Sequence, residues 1–139
     1  MTTSIYISTA EAHSGKALVS LGLMETLLRK SPKVGFFRPI ISKKPNGKKD
    51  SDIALILEHF NLEQTYEEAF GFYRQDVNDL IGTGKYDYVI NKIIEKFKSL
   101  EAKYDFVLIE GSDYVGEGTA FEFNINADIA KNLGLLSLY

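Results

Sequence analysis

Apolar residues along this chain switch repeatedly between a strand-like and a helix-like period, and the switches divide it into elements. Ile5, Tyr6 and Ile7 give a short β-rich run beginning at the fourth residue. Leu18, Leu21, Gly22, Met24, Leu27 and Leu28 then recur at helical spacing. Ser31, Pro32 and Lys33 break that helix, and residues 34–41 (VGFFRPII) read as a second buried strand. Pro39 falls near its C-terminal end, where a ladder donor is no longer needed. Asp50, Ser51 and Asp52 form a helix N-cap signal ahead of Ile53, Leu55, Ile56, Leu57 and Phe60.

Between residues 61 and 84 the signals are mixed. Residues 66–70 and 76–81 read as short helical pieces separated by Gly71, Gly82 and Gly84, with Phe70, Phe72 and Tyr73 expected to cover a sheet face. Residues 86–100 give the clearest helix, with Tyr86, Val89, Ile90, Ile93, Ile94, Phe97 and Leu100 on one face. Residues 106–109 are four consecutive apolar residues, the mark of a strand buried on both sides, and Glu110 and Gly111 end it. Residues 112–119 read as a loop, 126–133 as a helix closed by Gly134, and 135–139 as a fourth strand. This βα alternation predicts right-handed crossovers and a parallel sheet between two helical layers, a three-layer α/β/α sandwich.

Composition narrows what such a fold does. A length of 139 residues suits one domain, spanning 1–139, or part of one, and 45% hydrophobic residues suffice for a core. The net charge of −3 and the lack of a basic stripe argue against nucleic acid as a partner. With no cysteine, disulfides and thiol chemistry are excluded, and His13 and His59 alone make a poor zinc set. No apolar run approaches membrane length and none resembles a signal peptide, so a cytoplasmic protein without a membrane partner is expected.

The candidate chemistry starts at the loop between the first strand and first helix. Such a loop ends on unpaired backbone N–H groups and the positive end of a helix dipole, which together suit an anion such as phosphate. Gly15 allows close backbone approach and Lys16 adds a positive charge, as in a P-loop. The pattern G-x-x-x-x-G-K-[ST] is incomplete here: Ala10 stands where the first glycine belongs, and Ala17 replaces the hydroxyl that binds Mg²⁺. The plain alternative is an ordinary βα turn with one surface lysine. Arg38 lies toward a strand carboxyl end, where open α/β sheets hold ligands; it serves there either an anionic ligand or a nearby acid. Asp50 or Asp52 caps the second helix, leaving Asp52 open as a magnesium ligand. Glu110 sits where a Walker-B-type acid polarises metal-bound water, or else caps the following loop. The four lysines of residues 42–49 read as a solvated loop.

The segments STAEAHSGKALVSLGL, VGFFRPI, DSDIALILEHF, YDFVLIEGSDY and FEFNINADIAKNLG, in this order, resemble the N-terminal domain of long bacterial phosphate acetyltransferases. That domain is itself similar to dethiobiotin synthetase, a P-loop NTPase-like fold. The resemblance implies that residues 9–17 are the phosphate loop. Thr9, Glu11, His13, Ser14, Gly15, Lys16 and Ala17 would then bind phosphate or nucleotide, with Arg38 at the place of a substrate-binding lysine. Asp52 and Glu110 match the magnesium-binding acids, so ATP or ADP with Mg²⁺ is the implied cofactor set. Family strand order puts the strand ending at Glu110 beside the first strand. In the acetyltransferases this domain is regulatory or structural, and acetyl transfer between coenzyme A and phosphate belongs to a C-terminal domain. The implied partner is therefore the rest of a parent acetyltransferase chain. Family members continue past the fourth strand, so truncation there is expected, leaving an edge strand able to pair with a second copy. Two functions follow: a non-catalytic regulatory or assembly domain that retains anion or nucleotide binding, or a small ATP-dependent ligase of the dethiobiotin synthetase type. A doubly wound domain with no ligand is the third.

Overall fold

The computed structural model of the chain describes residues 3–7, 16–43, 45–111, 119–133 and 136–138. Among them the strands are β1 (Thr3–Ile7), β2 (Val34–Ile41), β3 (Phe70–Tyr73), β4 (Phe106–Glu110) and β5 (Leu136–Leu138). The helices are α1 (Lys16–Lys30), α2 (Ser51–His59), α3 (Arg74–Gly82), α4 (Tyr86–Glu101) and α5 (Thr119–Leu133), with 3₁₀ turns at Pro45–Gly47 and Glu67–Ala69. One sheet runs in the order β3-β2-β4-β1-β5, and every pairing in it is parallel. The expected adjacency of β1 and β4 is present, with Ile7 level with Glu110.

Consecutive side chains of a strand leave opposite faces of the sheet, so a strand covered on both sides reads as a nearly continuous apolar run. All eight residues of β2 are buried. Tyr6, Phe37, Val107 and Ile109 face a core completed by Val77 of α3, Val89, Ile93 and Phe97 of α4, and Ile125 and Ile129 of α5. Ile7, Phe36 and Leu108 face a second core with Met24 and Leu27 of α1 and Ile53 and Ile56 of α2. Helices thus cover both faces, and the three-layer α/β/α sandwich is as the sequence predicts.

Three local expectations change. Phe70–Tyr73 is an edge strand rather than a helical end with covering aromatics, so β5 is the fifth strand and not the fourth. Gly71 makes this edge possible: a Cβ there would lie 2.6 Å from the Pro39 carbonyl oxygen, which is backbone and cannot yield. In α1 the buried positions are Ser20, Met24 and Leu27, whereas Leu18 is 75% exposed. Finally, α5 begins at Thr119, seven residues before the periodic stretch suggests.

β2 runs past β4 at its C-terminal end and begins ahead of β3 at its N-terminal end. Its pairing with β4 stops at Phe37, two residues before Pro39, so the missing N–H of Pro39 costs no ladder bond. Its pairing with β3 begins at Arg38. Beside Phe36, where β3 has not yet started, the side-chain amide of Gln64 stands in for a strand. It accepts from the Phe36 N–H at 2.8 Å and donates to the Phe36 carbonyl at 2.7 Å.

Candidate functional site

The carboxyl ends of β1, β2 and β4 lie at one edge of the sheet, and of the candidate residues Arg38, Asp52 and Glu110 gather there. α1 opens at Lys16, directly followed by Ala17. Thr9, Glu11, His13, Ser14 and Gly15, the rest of the expected phosphate loop, lie outside the described residues.

Arg38 is the centre of the described part. An arginine inside the run VGFFRPII is carried into the core by its neighbours, and its side chain is 5% exposed. A guanidinium at such a place needs acids and carbonyls around it. Nη1 donates to Asp50 Oδ2 at 2.7 Å, and Nη2 donates to the Gly111 carbonyl at 3.1 Å. Nε lies 3.4 Å from Glu110 Oε2, and Nη1 lies 3.9 Å from Asp52 Oδ2. One cation is therefore set among three carboxylates from β4 and the start of α2.

Each carboxylate is placed by its own local structure. Asp50 is the N-cap of α2: its Oδ1 accepts from the Ile53 N–H at 3.0 Å, leaving Oδ2 for Arg38. Its backbone N–H donates to the Tyr66 hydroxyl at 2.8 Å. Burial pushes the Tyr66 phenol above its ordinary pKa, against the opposing effect of that hydrogen bond. Asp52, in the first turn of α2, is 22% exposed, the most open acid of the three. Glu110 is fully buried at the end of β4, where the N–H of Gly111 donates to the Ile7 carbonyl at 2.7 Å and ties β4 to β1.

The fold brings Arg38, Asp52 and Glu110, three separate candidates in the sequence, into one cluster, and of the two acids at the start of α2 it is Asp50 that caps. Sequence reasoning missed Asp50 and the Gly111 carbonyl as partners of Arg38. The available signal was the arginine itself, since a buried strand that carries one requires an acid nearby. A magnesium ion shared by Asp52 and Glu110 does not fit this arrangement. The Arg38 guanidinium lies within ion-pair distance of both, and Ala17 offers a methyl group where a metal-binding hydroxyl is required. Among the described residues no group of three or more His, Cys, Asp or Glu side chains is disposed to hold a metal. Nor is any helix among them long and apolar enough to cross a membrane.

Comparison with known proteins bears on the family and the fold. A family model described as an AAA domain matches residues 3–137. The phosphate acetyltransferase of Synechocystis is 48% identical over 133 residues, which cover 96% of this chain and 19% of that protein. The phosphate acetyltransferase of Nitratidesulfovibrio vulgaris is likewise 48% identical, again over 96% of this chain and 19% of its own length. An ATP-dependent dethiobiotin synthetase of Clostridium perfringens is 24% identical over 97% of this chain and 67% of its own. The chain therefore spans about a fifth of the acetyltransferases it matches.

Proposed function

The chain belongs to the AAA domain family, and on that premise we propose that it is the regulatory or structural P-loop-like domain of a phosphate acetyltransferase. In this reading it keeps an anion- or nucleotide-anchoring loop and performs no chemistry, and its partner is the remainder of an acetyltransferase chain. The observation that carries the reading is the 48% identity to acetyltransferases along 96% of the chain, twice the identity to the synthetase. Acetyl transfer belongs to the parent enzyme and uses none of the residues discussed here.

The phosphate-anchoring groups would be the backbone and Ser14, Gly15 and Lys16 of the loop, together with the N-terminal N–H groups of α1. A ligase of the dethiobiotin synthetase type is the second reading, favoured by the order of Lys16, Asp52 and Glu110 along the chain. Ala17 weighs against it, because phosphoryl transfer in P-loop enzymes uses a hydroxyl at that position to hold the metal.

The test is a titration of the chain with ATP and ADP, followed by its thermal midpoint. A ligand that binds only the native state at a hundred times its dissociation constant stabilises by about 2.7 kcal/mol, which such a shift reports. A shift that disappears in Lys16→Ala supports an anchoring loop. No shift at millimolar nucleotide or inorganic phosphate removes the anion from the proposal, and ATP turnover by the chain replaces it with the ligase.

A further inference from the structure

We propose that Arg38 is a built-in counter-ion that takes the place of a divalent metal, so that a phosphate group held at this edge is held without magnesium. The inference rests on the reading of the edge as a phosphate-anchoring site.

Three features carry it. The first is anchorage. Two hydrogen bonds fix the guanidinium independently of Asp52 and Glu110, one to Asp50 and one to the Gly111 carbonyl. Asp50 is itself pinned by its capping bond to Ile53, so it cannot swing away and take the arginine with it. Arg38 is a fixed part of the core and not a mobile arm that steps aside for an incoming ion.

The second is charge and geometry. Magnesium requires a near-octahedral shell of oxygens about 2.0–2.1 Å away and gives up its waters reluctantly. Glu110 is fully buried and within 3.4 Å of Arg38 Nε, so a dication there would face a permanent positive charge at contact distance. That leaves Asp52, 22% exposed, as the acid within reach of solvent, and without a phosphate to complete the shell a single carboxylate holds magnesium weakly. The third is Ala17, which removes the loop's own metal ligand. The arginine and the alanine each remove one half of a magnesium site.

The experiment uses the 139-residue chain and Mn²⁺ alone, with free Mn²⁺ followed by electron paramagnetic resonance. The expected result is no saturable site through millimolar Mn²⁺. Arg38→Gln removes the charge and should create a site that a second change, Asp52→Asn, abolishes. One Mn²⁺ per wild-type chain, lost in Glu110→Gln, overturns the proposal. Should Arg38→Gln fail to fold, the wild-type titration decides alone. A calorimetric titration with ADP completes the test: affinities in EDTA and in Mg²⁺ should agree within about twofold, and a gain of about tenfold or more with Mg²⁺ overturns the proposal. If ADP binds under neither condition, the phosphate-anchoring reading fails, while the Mn²⁺ result still settles what Arg38 replaces.

Discussion

Phe36 and Arg38, two residues apart on β2, both need polar partners that a neighbouring strand does not supply, and the chain answers them in opposite ways. At Phe36 the need is one donor and one acceptor, and the Gln64 amide matches both with no charge. At Arg38 the need is for negative charge, and three carboxylates converge on one guanidinium. The first arrangement is closed, because the Phe36 N–H and C=O are both consumed by the one amide. The second keeps one of its acids, Asp52, partly open to solvent. The difference separates what completes a sheet from what remains able to respond to a ligand or ion.

The comparison predicts a ranking of effects, and measured stabilities can break it. Arg38→Met should be the most damaging change, costing about 3–5 kcal/mol, because it leaves buried carboxylates without their cation. Urea denaturation measures it, and adding Asp50→Asn in the same chain should recover part of the loss while keeping an N-cap. Gln64→Leu should come next, at roughly 2 kcal/mol, since it leaves the buried N–H and C=O of Phe36 without partners. A larger loss for Gln64→Leu than for Arg38→Met would reverse the distinction drawn between the two.

A peripheral charge supplies the smallest effect and the control. The Lys103 ammonium, 3.1 Å from Glu68 with side chains 60% and 31% exposed, holds the Glu68 carboxyl below its ordinary pKa. A lowered folded pKa means stability that is present above the unfolded carboxylate value and lost as pH falls through the folded one. Glu68→Gln should therefore cost less than about 1 kcal/mol at neutral pH and flatten the acid limb of a stability–pH curve. An effect as large as that of Gln64→Leu would mean that surface charge, and not the buried edge, dominates the electrostatics of this domain.

Much of this was legible in the sequence, for identifiable reasons. β2 and β4 are covered on both faces, so their unbroken apolar runs marked them, and α4 showed its buried face because Val89, Ile93, Phe97 and Leu100 repeat at helical spacing. β3 was not legible: four half-buried residues interrupted by glycine give neither alternation nor a run, and pairing with β2 makes them a strand. Gln64 was hidden for a similar reason, since its function depends on a backbone 28 residues away. At the site, Arg38, Asp52 and Glu110 could be named because each stands near a strand or helix end. Their mutual engagement could not, because it follows from where β2 ends relative to β4 and not from any spacing along the chain.

The Arg38 cluster also bears on the order in which the molecule assembles. Its partners are twelve residues away, at Asp50, and seventy-three residues away, at Gly111, so the second cannot arrive until β4 has docked. A chain that has formed β2 and α2 alone holds the guanidinium against two acids, Asp50 and Asp52, with its other side still hydrated. Contacts of such long sequence separation form late, because the loop between them must first be closed. The charge cluster should accordingly act as a latch closed after the folding barrier. Weakening it would speed unfolding far more than it slows folding, and the persistence of the native state, rather than the ease of reaching it, would depend on one buried arginine.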